Sequence, residues 1–177
     1  MKAIMISIKP KWCAKIMNGD KTIEVRTSKA LANAIQKLID KYGHADIYGY
    51  CTKDKSRDND GNVIGRCFPP QVSLKVIGGR GKVVFKFRCY KVEEIDHWYS
   101  IMPCFKQTRL SPQEFDNYIG SEIGYAIQIS DLEIFNKPKE LSEFTTPRKL
   151  IGYGMSCNYY SVKTLTKAPQ NFCYVEE

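Results

Sequence analysis

Lys21, Glu24 and Arg26 fall within eight residues of one another in the segment GDKTIEVR, residues 19–26 of a 177-residue chain. Glu24 and Arg26 are two apart. On a strand, that spacing puts both side chains on one face about 6–7 Å apart, with Lys21 at the turn leading into the strand. Two cations and a carboxylate so placed can hold a phosphate or a base edge through Lys21 and Arg26. Glu24 then orients Arg26 or accepts from an exocyclic amine. The same trio could do acid–base chemistry, because a lysine beside another cation loses proton affinity and a carboxylate in reach of water is a general base. It could equally be a structural set of ion pairs.

Trp12, flanked by Lys9 and Lys11, is a second candidate. It is either core packing from the first helix or a platform on which a base stacks. Lys86, Phe87, Arg88 and Tyr90 interleave charge with aromatics, as a nucleic-acid surface does and as any half-exposed strand does. The aromatic residues of His97-Trp98-Tyr99, and Tyr153, Tyr159 and Tyr160, lie in loop-like stretches with no metal-ligand spacing. Seven cysteines, an odd number with no CxxC pair, speak against a disulfide framework and a structural zinc site, and only two histidines are present. Neither a metal nor a cofactor is called for.

The net charge of +8 favours polyanionic partners, although a solubilising surface explains it as well. The apolar run Ala3 to Ile8, cut off by Lys9 and Pro10, is too short for a signal-peptide core or a membrane span, so a cytoplasmic protein is expected.

Several elements must position these residues. Lys2 to Ile8 reads as a buried strand, and Pro10 opens a short helix that Gly19 ends. Thr22 to Arg26 alternates as a half-buried strand. Ser28 caps a second amphipathic helix carrying Leu31, Ile35, Leu38, Ile39 and Tyr42 up to Gly43. Its Lys29, Lys37 and Lys41 either extend a basic surface or form a solvated face. Asp46 to Thr52 is strand-like, Lys53 to Asn62 a polar loop, and Gly81 to Val92 one long strand. Ser111 and Pro112 start a short helix through Tyr118, Tyr125 to Phe135 is another long strand, Leu141 to Phe144 a brief helical turn, and Asn171 to Val175 the closing strand. Nearly half the residues are apolar, enough for one core in one domain, 1–177. Strands separated by short helices without a regular strand–helix repeat give an α+β fold.

GDKTIEVR matches the Gly-x-Lys-x-x-Glu-x-Arg motif of the ASCH domain family, relatives of the PUA-like RNA-binding barrels. SIKPKWCAKIMNGDK resembles the strand, helix and turn that lead into that motif in stand-alone bacterial and phage members. DIYGYCTK, GKVVFKFRC, YAIQISDLEIF with KPKELSEF, and APQNFCYV are similar in order and character. The resemblance implies a PUA-like mixed, mainly antiparallel β-barrel with short peripheral helices, a cleft lined by the motif, and binding of RNA or a modified nucleotide. The helix at 28–43 reads as an insertion relative to compact members. Some similar proteins are amidohydrolases on acetylated cytidine and use the motif lysine with a threonine where this chain has Glu24. Thr22 lies at a different height on the strand and does not inherit that role.

Three readings follow. One is RNA or modified-nucleotide binding through Lys9, Lys11, Trp12, Lys21, Glu24 and Arg26. Another is a nucleoside or RNA hydrolase, an amidohydrolase or nuclease, using Lys21 and Glu24. The last is an adaptor whose basic surface meets an acidic protein.

Overall fold

The computed structural model describes residues 2–53, 78–95, 105–147, 149–153 and 158–176. The polar loop after Lys53, the His97 segment, the side chains of Tyr153, Tyr159 and Tyr160, and Cys67, Cys104 and Cys157 lie outside them. The chain order is β1 (Ala3–Ile8), α1 (Pro10–Met17), β2 (Ile23–Arg26), α2 (Lys29–Tyr42), β3 (Ala45–Cys51), β4 (Val83–Cys89) and β5 (Val92–Ile95). There follow α3 (Phe105–Thr108), α4 (Pro112–Ile119), β6 (Gly124–Gln128), β7 (Ser130–Lys139), a 3-10 turn (Leu141–Glu143), β8 (Lys149–Tyr153), β9 (Asn158–Ser161) and β10 (Phe172–Val175).

The strands form two main sheets and a hairpin. One sheet runs β10-β1-β3-β4-β7, the other β2-β6-β5, and β8 pairs with β9. All main-sheet pairings are antiparallel except β1 with β3, which run parallel from Ile4↔Ile47 to Ile8↔Cys51. The α+β class expected from sequence holds, but the strands do not close into a barrel. The reason lies in two stretches that read as single strands. Gly81 to Val92 breaks at Tyr90 and Lys91, so β4 joins the large sheet and β5 the small one. Tyr125 to Phe135 breaks at Ile129, whose N–H turns aside to the Thr22 carbonyl (2.9 Å), and Asp131 takes a left-handed φ of 46°. Each stretch thus passes from one sheet to the other instead of extending one ladder. Pro138 sits inside β7, where an edge strand tolerates its missing N–H.

Period-two alternation places the core. Ile4, Ile6 and Ile8 pack with α1, α2, Phe85 and Phe87, whereas Ala3 and Met5 face Tyr48, Phe135, Phe144 and Val175 on the other side of the large sheet. A smaller cluster, Ile23, Val25, Ile95, Phe115, Ile119 and Ala126, holds the small sheet to α4. Helix α2 starts at Ser28, whose hydroxyl accepts from the Leu31 N–H, and ends at Gly43 with φ 79°. It buries Leu31, Ala34, Ile35 and Leu38 in the main core.

The basic side of β4 is paired across strands. Lys86 meets Glu133 at 3.0 Å, and Arg88 lies 3.6 Å from both Asp46 and Asp131. Val84, which unbroken alternation would put on the face of Lys86 and Arg88, is buried, because the register slips between Val83 and Phe85. Among the described residues no helix is long and apolar enough to cross a membrane.

Candidate functional site

A cleft of about 530 Å³ opens between α1, β2 and α4. Lys9, Lys11, Trp12, Lys21, Glu24 and Arg26 all line it. Their convergence starts from the turn after α1. Gly19 takes φ 75°, the left-handed conformation that costs glycine least, and the Lys21 N–H returns to the Lys15 carbonyl at 3.0 Å. The Thr22 N–H then bonds the Gln107 carbonyl at 3.0 Å, and Arg109 clamps Asp20 through its carbonyl (2.7 Å) and carboxylate (3.3 Å). So braced, Lys21 points inward. Along β2, Ile23 and Val25 enter the small core while Glu24 and Arg26 take the opposite face. Thr22 is exposed and outside the cleft lining.

Lys21 is 2% and Glu24 6% exposed. The Lys21 ammonium donates to the Thr108 carbonyl at 2.7 Å and lies 3.4 Å from Glu24 Oε2. Arg26 Nε donates to Glu24 Oε1 at 2.9 Å, and its Nη2 to the Ser7 carbonyl at 2.7 Å. Glu24 therefore neutralises one of two cations, and the trio keeps a net positive charge under the cleft. Burial lowers the Lys21 pKa from 10.5 against the restoring pull of Glu24; Arg26 and Lys15 lower it further. Behind them, burial and the neighbouring Cys51 thiol push Cys13 well above its ordinary pKa, so it stays a neutral thiol rather than a nucleophile.

Trp12 is half-buried, packed against the main core on α1, and lines the cleft. The ammoniums of Lys11, Lys15 and Lys21 lie 4.6, 5.0 and 5.1 Å from its ring centroid. The indole thus packs on the core and also lines the cleft. Lys9 caps the helix N-terminus through its backbone and leaves its side chain exposed at the rim. Lys29, Lys37 and Lys41 stand on the exposed face of α2 and do not line the cleft.

The far wall was not singled out from sequence. Glu114, Asn117 and Tyr118, at i, i+3 and i+4 of α4, face the cleft, and Phe115 and Ile119 face the core. Their helical spacing was visible; that the opposite face would meet α1 was not. Lys11 spans the opening to Glu114 at 2.7 Å. Together with Glu114's capping-box bond from the Ser111 N–H, Lys11 holds that carboxyl at about 2.

Crystal structures of an ASCH protein from Zymomonas mobilis share this arrangement of elements. A serine-to-alanine variant of it aligns over 99% of this chain and 89% of its own, with 17% identity and a TM-score of 0.57. The unsubstituted protein aligns over 78% and 73%, with 17% identity and a TM-score of 0.50. This is an ASCH-like fold. A tyrosine-to-phenylalanine variant agrees, over 80% and 77% of the chains at 19% identity and a TM-score of 0.52. No family model and no curated protein matches the sequence. At these identities the likeness is one of ASCH-like architecture, and the function rests on the cleft itself.

Proposed function

We propose that the protein binds RNA or a modified nucleotide in this cleft, with Lys21 and Arg26 contacting phosphate or base and Glu24 holding both cations in place. The observation that carries this reading is the convergence of Lys21, Glu24, Arg26 and Trp12 on one cleft of about 530 Å³, a volume in the range of small-molecule sites. Lys21 and Arg26 supply donors beyond those that Glu24 and the carbonyls of Thr108 and Ser7 use. Trp12 and Tyr118 offer aromatic surface on opposite walls. The ASCH resemblance points the same way by analogy of fold. Short single-stranded RNAs should bind, with affinity falling steeply as salt rises. Absent or salt-independent binding would overturn the reading.

A second reading, a hydrolase on a nucleoside or RNA, is favoured by one observation: the lowered pKa of Lys21 beside Glu24. It predicts turnover of acylated nucleosides or RNA that disappears in Lys21→Ala and Glu24→Ala. Unchanged turnover in both would remove these residues from the mechanism.

A further inference from the structure

Three ammoniums crowd the Trp12 indole, and only two of them have a carboxylate. Lys21 is paired with Glu24, and Lys11 with Glu114. Lys15 donates to the Arg109 carbonyl at 3.3 Å, a neutral partner, and has no carboxylate among the described residues. Its charge is felt: Lys15 is one of the cations that lower the Lys21 pKa. With only a neutral carbonyl as its partner, the Lys15 charge is uncompensated locally, and a phosphate beside it would supply the missing anion.

Position says which anion. Lys11 and Lys15 are one turn apart on α1, so they sit on the same face about 6 Å apart along the axis, a spacing comparable to that of successive phosphates in an extended single strand. Lys11 lines the cleft; Lys15 lies just outside it, with the half-exposed guanidinium of Arg109 beyond. The salt bridge from Lys11 to Glu114 is solvent-exposed, so exchanging that carboxylate for a phosphate costs little. The path is bounded by Asp20, already held by Arg109.

We infer that Lys15 is a phosphate-binding position outside the cleft, taking the backbone phosphate next to the nucleotide in it, so that the ligand is part of a single-stranded chain. This rests on the nucleotide-binding reading above and goes further by assigning a second contact and a polymeric ligand.

The test compares Lys15→Gln and Lys15→Arg with the unaltered protein against two probe sets: the four unphosphorylated nucleosides, and five-nucleotide RNAs of each base. With Lys15→Gln, pentanucleotide affinity should fall about fivefold at 0.1 M salt, and the slope of log affinity against log salt should flatten by about 0.7, the value of one phosphate contact on a single strand. Lys15→Arg should keep both. Nucleoside affinity and melting temperature should not change, because Gln can still donate to the Arg109 carbonyl. Pentanucleotides that bind no better than nucleosides, or an unchanged slope in Lys15→Gln, would overturn the Lys15 assignment while leaving the cleft reading standing. Failure of the unaltered protein to bind either set would overturn both. Equal loss on polyglutamate, used as a protein-like polyanion, would mark Lys15 as a general anion contact and overturn the nucleic-acid assignment.

Discussion

The Lys21 ammonium lies 3.4 Å from Glu24 Oε2, with both side chains withdrawn from solvent beneath an open cleft. A buried pair of this kind is a poor source of stability, since desolvation offsets most of the attraction. It is a good way to hold a cation ready. Under the proposed nucleotide-binding role, this buried ammonium, fixed by Glu24 and the Thr108 carbonyl, would meet a ligand phosphate as an oriented donor.

Removing the carboxylate exposes the cost of that arrangement. Glu24→Ala leaves the buried Lys21 and the partly buried Arg26 without a carboxylate, with only the carbonyls of Thr108 and Ser7 to accept from them. Stability should fall by about 3–5 kcal/mol, read as a lowered urea midpoint. A loss below about 1 kcal/mol would mean that solvent reaches the trio.

Lys21→Met keeps the volume and removes the charge. Glu24 retains Arg26 at 2.9 Å, so the fold should survive, and RNA affinity should drop at least tenfold. In the unaltered protein, Lys21 loses its proton below the ordinary lysine value of 10.5. RNA affinity should therefore decline with rising alkaline pH before ordinary lysines titrate, and Lys21→Met should lack that early decline. Stability moves the other way. The unfolded chain binds more protons between the folded value and 10.5, so the penalty of burying the charge fades as pH climbs through that window. Parallel pH profiles for the two proteins would contradict this.

Glu114 acts at the cleft mouth. Its carboxyl is held at about 2 against a usual 4.5, so it contributes stability above 4.5 that is lost as pH falls toward 2. Glu114→Gln should lack this share of the loss in acid unfolding, so that its stability falls less steeply than that of the unaltered protein over that window. It also releases Lys11, and should tighten RNA binding at neutral pH several-fold. Weaker binding in Glu114→Gln would mean that the carboxylate recognises the ligand instead of competing with it.

The large sheet also has a tight point. A side chain at Gly49 on β3 would run into the ring of Phe85 on β4. Gly49→Ala should cost about 1–3 kcal/mol in thermal unfolding; a neutral effect would show that the Phe85 ring can yield.

What could be read in the sequence divides along physical lines. Local signals placed most elements: Pro10 and Ser111 at helix starts, Gly19 and Gly43 at helix ends, and the alternation that turns Glu24 and Arg26 away from Ile23 and Val25. All six candidate residues came to one cleft because they sit on one short stretch of chain: the N-cap and first turn of α1, the turn that follows it, and β2. Long-range pairing was not legible. The breaks at Tyr90-Lys91 and Ile129 depend on which sheet each half joins, and neither contains glycine or proline. The neutralising partners of Lys86 and Arg88 come from other strands, and the wall with Glu114, Asn117 and Tyr118 comes from α4, far along the chain. No spacing within one segment reveals them.

The most direct measurement is an NMR titration of the isotope-labelled protein with a short single-stranded RNA, following the Trp12 indole N–H, the Arg26 Nε–H and the backbone amides. Binding in the cleft predicts shifts concentrated in Lys9 to Trp12, Lys21 to Arg26 and Glu114 to Tyr118, reduced in Lys21→Met. Shifts confined to the exposed face of α2, or no shifts at RNA concentrations that saturate other single-strand binders, would contradict it.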